Sequence, residues 1–453
     1  MKRETYQQLQ LSFIVIIYMF CFFTLVNKAD IFNDESAYYF ISRLPLINMI
    51  SFDVHPPLYP IILSIFPNNI ILLRWVSCCF GLVSLITLYY LCNLLYNNDE
   101  LSSLAVCFFL LHPFFIKSSL MATPYALALM LSLLSTYFYI KVFFKKRRDN
   151  MLQYFVFSLL MLMSHDFTVF LLLTHMILLL LYYLFRNKSF GKPIIKLDFY
   201  YLLKILKMAL LVFASLLIIF VINAIKVLMK PELNFREWSW SLPFGTLLYF
   251  NGGSAILTII FIILLMGLFY YKEIELISLG LWLIPVILAL LTNIFINLWH
   301  DRYFLFFVPY IMVFLAYSVM IFTNREYSLL KKPQIQRFAV IIILILILSM
   351  GFFQNISLVK DSPLRDSLKE LGCSNKLFIH TSSFSFLPYE MMGCHNNLLI
   401  DNVTYYNTPI TLKNQLIKDI QGLSDYYLVS QNTSLIVGDV VFDNKGLLIQ
   451  YIS

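Results

Sequence analysis

Apolar residues run along this chain in blocks of roughly 20, long enough to cross a bilayer as helices, separated by short polar loops. The blocks predict helices over 9–27, 69–95, 101–117, 121–144, 151–164, 166–185, 208–227, 254–271, 276–296, 303–322 and 338–353. Eleven spans place the two termini on opposite sides of the membrane. The first block, Leu11 to Val26, follows Lys2 and Arg3 but lacks a small-residue cleavage pattern before Asn27-Lys28, so it reads as a retained helix.

After Phe353 the pattern changes from long apolar blocks to short ones. Strand-like runs at Lys376–His380, Tyr426–Val429, Ser434–Val441 and Gly446–Ile452 alternate with helix-like stretches near Leu364–Leu371 and Leu412–Gly422. Asp443-Asn444-Lys445-Gly446 is a hairpin signal. The expectation is a polytopic α-helical membrane domain over 1–353 and a C-terminal extracytoplasmic α/β domain over 354–453.

Composition agrees with the blocks. Of 453 residues 60% are hydrophobic and 13% charged, and the mean hydropathy is +0.78, more apolar surface than a soluble core hides. Of the seven cysteines, Cys21, Cys78, Cys79, Cys92 and Cys107 lie inside apolar blocks, where cysteine acts as a small hydrophobe. Cys373 and Cys394 lie in the polar C-terminal part, where one disulfide can form if that part is outside the cytoplasm.

The net charge of +8 changes the picture through its placement. Lys2-Arg3, Lys145 to Arg148, the stretch from Arg186 to Lys207, Lys272, and Arg325 to Arg337 all fall on one side when the spans alternate. The positive-inside rule makes that side the cytoplasm, so the excess is a topology signal and not a nucleic-acid patch. The N-terminus is then cytoplasmic. The first loop, 28–57, Lys117, His165-Asp166, the loop from Met229 to Gly253, Trp299 to Arg302 and the C-terminal domain face outward. The sequons Asn402-Val403-Thr404 and Asn432-Thr433-Ser434 are compatible with that side.

The candidate chemistry gathers in the first outer loop. Asn33 is a candidate N-cap, with Asp34 and Glu35 in the first turn of a short surface helix whose Ala37, Phe40, Ile41 and Leu44 share an apolar face ended by Pro45. Acids held there suit a general base meeting a substrate at headgroup depth, although first-turn acids also complement a helix dipole. Asp53 and His55 precede Pro56-Pro57, which stiffen the turn and bar helix until Leu58. Adjacent carboxylates can also hold Mg²⁺ or Mn²⁺, but two acids alone establish no metal site. No HExxH, CxxC, Walker loop or GxGxxG is present, so no nucleotide or zinc cofactor is expected.

The pattern Asp34-Glu35-x-x-Tyr38, then Asp53-x-His55-Pro56-Pro57-Leu58-Tyr59, then Leu73-Arg74, resembles the GT-C membrane glycosyltransferases of the dolichyl-phosphate-mannose-protein mannosyltransferase and lipid A aminoarabinose transferase type. Thr123-Pro124-Tyr125-Ala126-Leu127, Ser164-His165-Asp166 and Asp301-Arg302-Tyr303 extend the resemblance over about residues 9–322. Many relatives carry Arg where this chain has Thr123, so a phosphate or sugar contact there is missing or falls to Lys117 or Arg74.

The resemblance implies inverting transfer of one sugar, a hexose or pentose, from a polyprenyl-phosphate donor to an acceptor hydroxyl on a lipid, glycan or protein at the outer face. Asp34, then Glu35, are the catalytic candidates. Asp53, His55, Tyr59, Arg74, Lys117, Tyr125, His165 and Arg302 are the substrate-binding candidates, with Arg302, Lys117 and Arg74 stabilising charge on the departing phosphate. Trp238-Ser239-Trp240 can stack on sugars but also fits a membrane boundary. Two rivals are a flippase, which would carry ionisable groups at mid-span, and a lipid-to-glycan ligase using a diphosphate donor.

Overall fold

The computed structural model describes residues 3–27, 29, 33–46, 49, 55–67, 69–145, 147–185, 258–260, 262, 276–295, 301–324, 345, 349, 377–380, 397–399, 426–430, 439–444 and 447–452. By its contacts the chain divides into two compact units. One comprises Met1–Phe23, Trp75–Ser119 and Pro124–Ile356, the other Thr24–Arg74, Leu120–Thr123 and Ser357–Ser453.

The described helices are α1 (Arg3–Leu25), α2 (Asn33–Ile41), α3 (Leu58–Ser64), α4 (Ile70–Tyr96), α5 (Asp99–Leu110), α6 (Pro113–Leu120), α7 (Pro124–Phe143), α8 (Met151–Leu162), α9 (Val169–Phe185), α10 (Leu276–Phe295) and α11 (Val308–Asn324). Among the described residues four helices are long and apolar enough to cross a membrane, Gln7–Leu25, Ile70–Tyr96, Pro124–Phe143 and Tyr303–Ile321. The expected spans 208–227 and 338–353, and most of 254–271, lie outside the described residues, as do the helix-like stretches Leu364–Leu371 and Leu412–Gly422.

Burial separates the helices by role. The apolar stretch Tyr303–Ile321, which takes in most of α11, is 89% buried, as befits a segment that is hydrophobic on every side, whereas that of α1 is 22% buried. Leu9, Phe13, Ile16, Phe20 and Phe23 are exposed at alternating steps of four and three, one face of α1 that suits lipid. Its other face packs on α4: Tyr18 donates to the Cys78 carbonyl at 2.9 Å, and Phe22 meets Trp75 edge-on at 4.7 Å. Gly81 permits that approach, because a Cβ there would collide with the Tyr18 and Ser119 hydroxyls.

Two expected spans are not single α-helices. The block at 101–117 breaks into α5 and α6, bent by 67°. Pro113 has no N–H and its ring opposes the carbonyl four residues back, so α5 closes at Leu111 and His112, whose N–H groups reach Cys107 and Phe109. His112 therefore sits at a helix break rather than well inside a span. Before α11, Asp301–Phe307 winds as a 3-10 helix and the α-helix begins at Val308, with Pro309 in the first turn where proline is tolerated.

Asn97 and Asn98 turn the chain from α4 into α5. Asn97 takes the left-handed conformation (φ 50°) that asparagine tolerates. The Asn98 side chain accepts from the Glu100 and Leu101 N–H groups, both at 3.0 Å, capping α5.

Inside the first unit, His175 of α9 stacks flat on Tyr139 of α7 at 4.2 Å. Its Nε2 lies 3.1 Å from Thr136 Oγ1, which is 2.6 Å from the Tyr310 hydroxyl of α11. A mid-span histidine bonded to neighbouring helices is a packing device here.

The described strands are β1 (Leu377–His380), β2 (Asn397–Leu399), β3 (Tyr426–Ser430), β4 (Asp439–Asn444) and β5 (Leu447–Ile452), in sheet order β2-β1-β3-β5-β4. β1 lies parallel to β2 and β3, while β5 runs antiparallel to β3 and β4. The β4–β5 hairpin falls at the turn signal, with Asn444 paired to Leu447.

Candidate active site

The first outer loop folds around one buried ion pair. The Arg74 guanidinium grips Glu35 bidentately, Nε to Oε1 and Nη2 to Oε2, both at 2.7 Å. Arg74 Nη1 also donates to the Val26 and Ala29 carbonyls at 2.8 and 3.1 Å. Glu35 Oε1 further accepts the Ala122 N–H at 2.9 Å. Glu35 is 0% and Arg74 2% exposed. Four separate stretches of chain thus meet: the segment after α1, the first turn of α2, the start of α4, and the 120–123 turn.

This arrangement bears on two expectations. Both oxygens of Glu35 accept hydrogen bonds, Oε1 from Arg74 Nε and the Ala122 N–H and Oε2 from Arg74 Nη2. Arg74 directs four of its N–H donors to Glu35 and two backbone carbonyls. The same geometry does not fit Mg²⁺ or Mn²⁺ held by the Asp34 and Glu35 pair, since a guanidinium occupies the position a cation would take.

Asp34 stands beside this anchor. It lies in the first turn of α2, which begins at Asn33. Successive helical side chains point about 100° apart, and here the turn buries Glu35 completely while Asp34 is only partly covered. The inner face of α2 packs through Ala37 and Ile41 against Met49, Leu44 and Ile61. Tyr38 meets Tyr59 edge-on at 5.4 Å. Tyr59 is wholly buried.

The helix restart after the prolines is where the sequence places it: α3 begins at Leu58, with Pro57 at the N-cap. His55 is partly buried just ahead of it, and Asp53 lies outside the described residues. One cation escaped the sequence reading. Arg43 follows α2, lies over the Tyr39 ring at 6.0 Å, and donates to the Phe66 and Pro67 carbonyls at 2.7 and 3.3 Å. Its signal was faint, a lone arginine in a loop otherwise poor in basic residues.

In the other unit, His165 is fully buried in an aromatic box. Its ring lies 5.6 Å from Tyr125, 5.1 Å from Tyr303 and 4.9 Å from Phe306. Nδ1 accepts the Phe167 N–H at 3.2 Å, so the neutral ring carries its proton on Nε2. Lys117 lies partly buried in the last turn of α6. The backbone of Arg302 lies in the 3-10 helix, and its side chain is outside the described residues, as is the Trp238-Ser239-Trp240 loop. Thr123 is buried, and its Oγ1 has no hydrogen-bond partner among the described residues.

Comparison with known proteins meets this geometry. Residues 54–219 match the family model of the dolichyl-phosphate-mannose-protein mannosyltransferases. Over 97% of both chains the fold is similar to that of ArnT from Cupriavidus metallidurans, with a TM-score of 0.57 at 10% identity in its apo state. The chain has a GT-C fold.

The same transferase bound to undecaprenyl phosphate gives a TM-score of 0.52 at 11% identity, again over 97% of each chain. An Archaeoglobus fulgidus oligosaccharyltransferase, tethered to an acceptor peptide containing the NVT sequon, gives 0.50 at 11% identity, over 87% of this chain and 64% of that one. No curated protein sequence matches the chain. The resemblance read from the first-loop motif is borne out, and with its apolar helices the GT-C fold marks a membrane protein. The family match takes in Tyr59, Arg74, Lys117, Tyr125 and His165; Asp34 and Glu35 precede it.

Proposed function

We propose that this protein is an inverting glycosyltransferase that moves one sugar from a polyprenyl-phosphate donor to an acceptor hydroxyl at the outer face of the membrane. The observation that carries the assignment of roles is the division between neighbouring acids. Glu35 is clamped by Arg74, and Asp34, one residue earlier on the same helical turn, is the partly exposed carboxylate. Asp34 takes the proton of the acceptor hydroxyl as its oxygen attacks the anomeric carbon. The bond from that carbon to the donor phosphate breaks with its electron pair, releasing the polyprenyl phosphate. Lys117 and Arg302 supply positive charge for the departing phosphate, and His165, with its proton on Nε2, is a donor toward the sugar or phosphate.

The placement follows the basic loops: N-terminus in the cytoplasm, loop 28–57 and the 354–453 segment, read as an α/β domain, outside. Support for the donor comes from the fold, since a similar structure is a transferase holding undecaprenyl phosphate. The acceptor is a lipid, glycan or protein hydroxyl.

The test is Asp34→Asn, with envelope glycans and glycolipids followed by mass spectrometry. Loss of a general base lowers the rate by about 10²–10⁴-fold, so one sugar should vanish from the products at normal protein level. Unchanged products would refute the assignment, and loss of lipid-linked glycan export with normal sugar transfer would point to a flippase.

A further inference from the structure

Away from the candidate active site, the first unit carries a hollow that the proposed transfer does not use. Asn93, Leu94, Asn97, Lys141, Lys145, Arg147, Asp149 and Asn150 line an open cavity of about 800 Å³. It lies where α4 and α7, both long enough to cross the membrane, reach their C-terminal ends. Those ends therefore share one face, the one bearing the Lys145–Arg148 run.

The walls are built. The Phe144 and Lys145 N–H groups both fold back to the Ile140 carbonyl at 3.0 Å, and the Arg147 N–H reaches the Lys141 carbonyl at 2.9 Å. This wraps the basic loop around the end of α7 and holds its cations together. Lys141 Nζ lies 4.5 Å from the Tyr137 ring centroid. The nearby acid of α5, Asp99, is engaged by Gln7 and Asn93 and does not line the hollow. Three cations thus face one carboxylate, among the neutral amides of Asn93, Asn97 and Asn150.

Cations at a helix C-terminus also answer its dipole. That role requires neither a concavity nor amide walls. An apolar approach adjoins the hollow as well: Val83 and Tyr90 on α4 are exposed and stand seven residues apart, close to one face of the helix. An apolar track ending in a cationic, amide-lined hollow matches the shape of a lipid, with chains along α4 and an anionic headgroup against the cations.

We propose that this hollow binds the phosphate headgroup of an anionic phospholipid from the adjoining leaflet. The chemistry recognised is a phosphate ester. The apolar track along α4 assigns it to a membrane lipid rather than to a water-soluble phosphate.

The test is native mass spectrometry of the purified full chain after exchange into mixed micelles holding equal phosphatidylglycerol and phosphatidylcholine. Phosphatidylglycerol adducts should predominate in the wild type, and Lys141→Gln with Lys145→Gln and Arg147→Gln should reduce that preference at least tenfold. Asp149→Asn should raise it, which keeps the proposal testable if the triple variant fails to fold. Equal adducts of the two lipids, or a preference unmoved by either variant, overturn the proposal. Displacement of the lipid by millimolar glycerol phosphate would show a site for phosphate alone and overturn the lipid assignment.

Discussion

Removing one member of the Glu35–Arg74 pair should be far more damaging than removing both. Glu35→Gln leaves the Arg74 guanidinium buried, with an amide N–H₂ facing Nε or Nη2 where an oxygen had accepted a 2.7 Å bond. Arg74→Met strips Glu35 of its fork and leaves only the Ala122 N–H among its described donors. An uncompensated buried charge costs about 3–5 kcal/mol. Two apolar or neutral groups of similar volume leave no such charge, so the double variant should recover much of the loss.

The assay is thermal unfolding in detergent of wild type, both singles and the double, giving a coupling energy on the order of 1–3 kcal/mol. Asp34→Asn runs alongside. It keeps the side chain's size and shape, so its melting midpoint should move far less than that of Glu35→Gln while glycan transfer is lost. If Glu35→Gln were as stable as wild type, or the double variant no better than the worse single, the anchoring role would be wrong. If Glu35→Gln were fully stable and inactive, the roles of the two acids would have to be exchanged.

Other substitutions test the frame around this loop. Gly81→Val should cost about 1–3 kcal/mol by overpacking, because its side chain meets the Tyr18 and Ser119 hydroxyls; yield and melting midpoint report it. Asn98→Ala should cost about 1 kcal/mol by uncapping α5, and Asn98→Asp should restore most of that loss in the same melt. Thr136→Val parts His175 from Tyr310 and should cost about 1–3 kcal/mol for the groups left without it, with little change in transfer once protein level is matched.

The long apolar helices among the described residues were legible because hydropathy over roughly 20 residues is a property of the chain itself. So was the restart at Leu58, since two prolines constrain their own backbone. What failed was anything set by partners distant in sequence. Asp34 and Glu35 look interchangeable on the page, yet Glu35 meets Arg74 across 39 positions, and that meeting decides which acid is buried. The partner of Arg74 was hidden for the same reason: a charge near a helix end announces itself, its partner does not. The break at Leu111–His112 was masked because Pro113 stands within a run apolar on both sides, and β2, three residues long, is too short to show an alternation.

The ion pair also bears on why the two acids are adjacent. Under the proposed mechanism the base Asp34 must keep its position on α2. Apolar packing of Ala37 and Ile41 sets the roll of α2 but holds its first turn loosely, because the packed residues lie later in the helix. A bidentate bond to Glu35 restrains that first turn directly, and Arg74 is itself tied to the Val26 and Ala29 carbonyls. The clamp belongs one residue from the base because the stiffness of a single helical turn then carries the restraint to Asp34. An apolar residue at position 35 could match the burial but not the direction, since only a forked pair defines both distance and orientation. Under the proposed mechanism, the desolvation that makes buried ion pairs poor sources of stability is the cost of positional accuracy at Asp34.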